Sequence, residues 1–165
     1  MNYNRVKLTY DIVLLLQQVL LRSIYSASAI SVQGATQEAN QSITDAELDL
    51  ANINLRNAAN NAYTLLQSTT RYNNTPFEYD VMVNGKRSIV FELWLNENWD
   101  TNLSTKLSTS IESLMVSHCL KDWFATRGQQ LPFQLYSANY DTAEREIKSN
   151  INSRKTPVRL KIPVM

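Results

Sequence analysis

The chain has 165 residues, 44% of them hydrophobic, with 16 Lys plus Arg against 15 Asp plus Glu, a formal net charge of +1. That length and apolar content fit one domain with an ordinary buried core. Near neutrality excludes a polyelectrolyte that holds nucleic acid or membrane by overall charge. A single cysteine, Cys119, excludes an internal disulfide and a thiolate metal cage.

The charge is unevenly spread. From residue 147 onward there are five cations, Lys148, Arg154, Lys155, Arg159 and Lys161, and no acid, which leaves 11 basic against 15 acidic side chains in residues 1–146. The expectation is a mildly acidic body, residues 1–152, with a basic tail, residues 153–165.

The first element predicted is a helix from about Leu8 to Ser26. Ile12, Leu15, Leu16, Val19 and Leu20 form one face, with Val13 and Leu21 beside it. So apolar a helix is either central to a bundle or covered by a neighbouring subunit. It is no membrane span: Gln17 and Gln18 interrupt it, Arg22 closes it, and the run Ile12 to Leu16 falls far short of the roughly 18 residues required. The split apolar region also argues against a secretory signal.

A polar link around Gly34 leads to a second helix from Thr44 to about Thr69. Thr44 can cap it, and Glu47 can reach back from three residues on. Leu48, Ala51, Leu55, Ala58, Ala62 and Leu65 recur in steps of three and four, with alanines that let another helix come close. An antiparallel hairpin follows over 77–95, its tip at "VNGK". Phe77, Tyr79, Val81 and Val83 on one strand and Ile89, Phe91, Leu93 and Leu95 on the other are all odd-numbered. Matching them on one face calls for a three-residue loop, Val83-Asn84-Gly85, with Lys86 and Arg87 at the tip. Two strands are marginal alone, so the ribbon must pack on helices or on strands of another chain.

The third helix, about Thr101 to Thr126, turns Leu103, Leu107, Ile111, Leu114 and Met115 inward and stops at Gly128. The fourth, about Phe133 to Asn152, uses Leu135, Tyr136, Tyr140, Ala143, Ile147 and Ile151. Then the period changes. Pro157 and Pro163 forbid helix, while Val158, Leu160, Ile162 and Val164 alternate with Arg159 and Lys161, an extended arm with one apolar and one basic edge. The fold class expected is α+β, mainly α: a four-helix core, a protruding antiparallel hairpin and an extended C-terminal arm.

A search for chemistry returns no catalytic, cofactor-binding or metal-binding residue, and the expectation is a protein that is not an enzyme. His118 is the only histidine. Its neighbour Cys119 lies about 100° away around the helix, poor geometry for a thiolate and its base. No phosphate-cradling glycine loop or serine elbow occurs. Glu92, Glu97 and Asp100 read as a solvated strand exit and helix start, and Trp94, Trp99, Trp123 and Phe124 as core or interface anchors.

The arm remains. It either folds back on its own subunit or leaves the body and pairs with a neighbour, backbone hydrogen bonds giving affinity and alternate side chains giving register. The stretch between Arg22 and Arg56 offers it Glu38, Asp45, Glu47 and Asp49 with no basic residue. Such head-to-tail contacts close into rings when repeated. The order of long helices, hairpin, further helices and a short "SRKTPVRLKIPV" tail, with "RKTPVRL", Arg154 to Leu160, as its motif-like part, resembles the head-to-tail connector or neck proteins of tailed bacteriophages, such as those of crAss-like phages.

That resemblance implies a virion protein made in the host cytoplasm, without cofactor or membrane. It implies a homo-oligomeric ring of about twelve copies that meets the portal and other neck or tail proteins around the DNA channel. Lys86, Arg87, Arg154, Lys155, Arg159, Leu160, Lys161 and Ile162 become the expected contacts with adjacent rings, the portal or passing DNA. The alternative is a cytosolic regulator whose basic tail binds nucleic acid with a steep salt dependence.

Overall fold

The computed structural model describes residues 3–31, 43–70 and 76–155. Strand β1, Tyr3–Asp11, leads directly into helix α1, Ile12–Ser31. Helix α2, Leu48–Thr69, is entered through a single 3-10 turn, Asp45–Glu47. Strands β2, Glu78–Val83, and β3, Lys86–Asn96, form the hairpin. Helix α3, Ser104–Thr126, and helix α4, Gln130–Asn152, complete the body. The result is the expected mainly helical α+β fold, with an antiparallel sheet in the order β1-β3-β2.

β1 corrects the start of the first helix. Residues 8–11 are the end of a strand, because Val6, Leu8 and Tyr10 alternate with Arg5, Lys7 and Thr9 and place Leu8 and Tyr10 in the core. The helix begins only where Asp11 caps it, its Oδ1 accepting from the amides of Val13 (2.9 Å) and Leu14 (3.3 Å). β1 runs antiparallel to β3 from Tyr3 opposite Asn96 to Asp11 opposite Ser88. The hairpin thereby gains its third strand from its own chain.

The hairpin turn also differs from expectation. Val83 pairs with Lys86, so Asn84 (φ 51°) and Gly85 (φ 77°) form a two-residue turn with both residues left-handed, the geometry that matches strand twist. Near the tip this pairs odd with even residues. A bulge at Asp80 (φ 63°) then restores equal parity, so Tyr79 lies opposite Ile89 and the Phe77 and Phe91 rings stack at 5.5 Å.

α3 is the central helix, buried without interruption from Leu114 to Leu120. Against it α2 presents Ala51, Leu55, Ala58, Ala59 and Ala62, none more than 1% exposed. Gly128 (φ 66°) ends α3: Gln129 N–H donates to the Phe124 carbonyl and Gly128 N–H to the Ala125 carbonyl. α4 then returns along α3, burying Tyr136, Ala143, Ile147 and Ile151, with Leu135, expected inside, on the surface. The alanine seam makes a specific demand. Ala58→Leu is expected to force α2 off α3 and cost about 1–3 kcal/mol in urea unfolding, whereas the same change at exposed Asn57 should leave stability nearly unchanged.

Candidate functional site: the outer face of α1, the hairpin tip and the root of the arm

α1 is not the centre of the bundle. Ile12, Leu15 and Val19 are buried and Leu16 and Leu20 half-buried, but Val13, Leu14, Leu21, Ile24 and Tyr25 are exposed, Tyr25 at 73%. At about 100° per residue these five side chains fall within one arc of roughly 120°, which between Val13 and Tyr25 is interrupted only by Gln17. The inner face is fixed by polar ties as well as packing. Gln18 donates to Glu112 of α3, the Ser23 hydroxyl accepts from Ile43 N–H (3.1 Å), and Ser26 and Tyr136 share a hydroxyl hydrogen bond of 2.8 Å. The outer face is therefore held in place as a largely apolar surface. Val13 and Leu21 were visible as excess apolar residues; Leu14, Ile24 and Tyr25 join them only once the inner face is known.

The hairpin tip brings Lys86 and Arg87 together, exposed as expected, and each has a carboxylate partner. Lys86 Nζ lies 3.3 Å from Asp11, and Arg87 grips Asp80 through Nε (2.5 Å) and a terminal nitrogen (2.8 Å). Arg5 on β1 pairs with Glu92 of β3 and stands over the Trp94 ring. The cations of the sheet are thus largely neutralised pair by pair. Neither partner was legible in the sequence: Asp80 depends on the bulge and Asp11 on the pairing of β1.

Arg154 and Lys155 begin the arm, and the structure places them on their own body. Arg154 forms an antiparallel bridge with Trp99, and Lys155 N–H donates to the Asn98 carbonyl at 2.9 Å. Trp99 is fully buried, its indole N–H donating to the Asn150 carbonyl at 2.8 Å, so the end of α4 and the start of the arm share one anchor. Arg159, Leu160, Lys161 and Ile162 lie outside the described residues. The structure brings Arg154 next to Lys155 and Lys86 next to Arg87 without joining the two pairs into one patch.

The remaining candidates have structural surroundings. His118 Nδ1 sits 3.2 Å from Asp122, and its ring meets Tyr140 edge-on. Burial pushes the Cys119 thiol up to about 12 and its Sγ contacts the Ala51 carbonyl at 3.6 Å, so it is no nucleophile at neutral pH. Asp100 caps the 3-10 turn before α3. Among the described residues no cluster of three or more His, Cys, Asp or Glu can hold a metal ion, and no helix is long and apolar enough to cross a membrane. Compared with known proteins, the chain matches no family model, no curated protein and no solved structure.

Asp11 joins the strand, the helix cap and the tip. Burial opposes its ionisation, but the amides of Leu14 and Val13 and the Lys86 ammonium prevail and hold its carboxyl below the usual range. A carboxylate depressed on folding contributes stability that is present above its unfolded pKa, about 3.9, and is lost as pH falls through the folded value. Asp11→Asn should therefore melt earlier than wild type at neutral pH, and the gap in Tm should close in strong acid. A gap that stays constant with pH would show that charge at Asp11 plays no part.

Proposed function

We propose that this chain is a ring-forming structural subunit of the head-to-tail connector of a tailed bacteriophage, a non-enzymatic part of the virion neck that joins the portal to the tail around the DNA path. The observation that carries the reading is the outward apolar arc of α1. Five large apolar side chains on one exposed helical face are more than scattered surface residues, and contiguous apolar surface of this kind marks a protein contact. A connector ring supplies that contact by placing the face of one copy against a different surface of the next.

The arm serves the same reading. Its first residues are fixed to the body, and the alternating sequence beyond them suits backbone pairing with a neighbour. The paired cations at the hairpin tip favour protein contact there, because an ion pair offers little to a phosphate backbone.

Light scattering of the purified full-length chain tests this. A discrete oligomer is expected, and the double variant Leu14→Lys, Leu21→Lys should weaken each contact roughly a hundredfold, given about 1.5 kcal/mol or more for each buried leucine. Deleting Pro157 to Met165 should likewise leave a helical monomer by circular dichroism. A wild-type chain that is monomeric at every concentration, or an oligomer indifferent to both changes, would remove the reading.

A further inference from the structure

Of the asparagines in the chain, only Asn84 is followed by glycine. It stands at the hairpin tip, where Asn84, Gly85, Lys86 and Arg87 are all exposed, and among the described residues its carboxamide has no hydrogen-bond partner. The Gly85 N–H lies in the loop, outside the Val83–Lys86 pair that closes the turn. A Cβ placed on Gly85 would meet nothing within 4 Å, so no neighbouring atom crowds the peptide between the two residues.

We propose that Asn84 is a modification site, at which the side-chain amide is lost without an enzyme and a carboxylate takes its place. The Gly85 nitrogen gives up its proton to solvent and attacks the Asn84 side-chain carbonyl carbon. That C–N bond forms, the bond to the amide nitrogen breaks, and the nitrogen takes a proton from solvent and leaves as ammonia. The product is a five-membered cyclic imide. Water then opens it at either carbonyl, giving aspartate or a β-aspartate whose main chain runs through the former side chain. Glycine matters because a side chain at 85 would shield the attacking nitrogen. Exposure matters because the peptide plane has to turn about the Asn84 Cα–C bond, and at a loop tip this takes only local opening.

The two products differ in effect. Aspartate before glycine still suits a left-handed two-residue turn, so the tip persists and gains a carboxylate beside Lys86 and Arg87. β-Aspartate lengthens the main chain by one atom. So short a turn has no slack for it: Val83 and Lys86 lose their register, and Lys86 is drawn away from Asp11, 3.3 Å from it in the native turn. The tip thus holds a slow, one-way change of charge and shape.

Asn152, followed by serine, serves as the internal comparison, since its carboxamide donates to the Lys148 carbonyl at 2.8 Å. The full-length protein is incubated at mildly alkaline pH, and its peptide fragments are followed by tandem mass spectrometry. Asn84 is expected to become acid no more than roughly tenfold more slowly than in a synthetic peptide of residues 79–90, and at least roughly tenfold faster than Asn152. Asn84→Gly, which keeps a two-residue turn, should leave no acid at that position. Ala58→Leu loosens the seam between α2 and α3 and should not change the rate. Slowing beyond tenfold while the peptide reacts, or loss of amide at Asn152 as fast as at Asn84, would overturn the proposal. A rate that climbs with Ala58→Leu would overturn it too, because the reaction would then run through the unfolded chain.

Discussion

Everything in this fold follows from having to cover α3. Its middle turns are buried on every side, so no single neighbour suffices: α2 takes one flank through small residues, α4 returns along another, and α1 and the sheet close the rest. The polar groups are arranged to permit that enclosure. Tyr10 donates to the Ser108 carbonyl, Gln18 reaches Glu112, and Arg127 at the C-terminal end of α3 holds Glu47 at the entry to α2 while stacking on Trp123. Each tie lies at the margin of the apolar contact, where a polar group keeps its partner without being stranded in the core.

The same requirement explains why α1 is amphipathic in an unusual sense, with one apolar face turned in and another turned out. One helix cannot reach α3 with its whole circumference. A sequence apolar nearly all round therefore exposes what it does not bury. The surplus carries no evident benefit to an isolated subunit and is the main reason for reading the protein as a component of something larger.

Much of this was open to reading from the residues. The steps of three and four in α2, the stop at Gly128 and the reach of Glu47 back to Thr44 are local signals, and each appears where expected; Glu47 accepts from both the amide and the hydroxyl of Thr44. β1 was lost because three inward side chains, Val6, Leu8 and Tyr10, compete in any window with the much stronger run that follows Asp11. The Asn-Gly turn was misjudged because parity can be repaired elsewhere, and the repair at Asp80 needs a left-handed residue that aspartate tolerates. The candidate site was less readable than the fold. Which side of α1 faces out, and which carboxylates silence Lys86 and Arg87, depend on pairings far apart in the chain. The greater part of the arm, including Leu160 and Ile162, lies outside the described residues.

The turn after β3 has a mechanical meaning. Its carbonyls at Asn96 and Glu97 hold the Asn4 side chain at 3.2 and 3.1 Å, and its Asn98 carbonyl holds Lys155. The first strand and the start of the arm are thus moored to one short segment, beside a tryptophan clamped to α4. Tension applied through the arm would reach the sheet at this mooring before it could peel α4 from the bundle. A pull on the arm would therefore be felt by β1 and β3 as well as by α4.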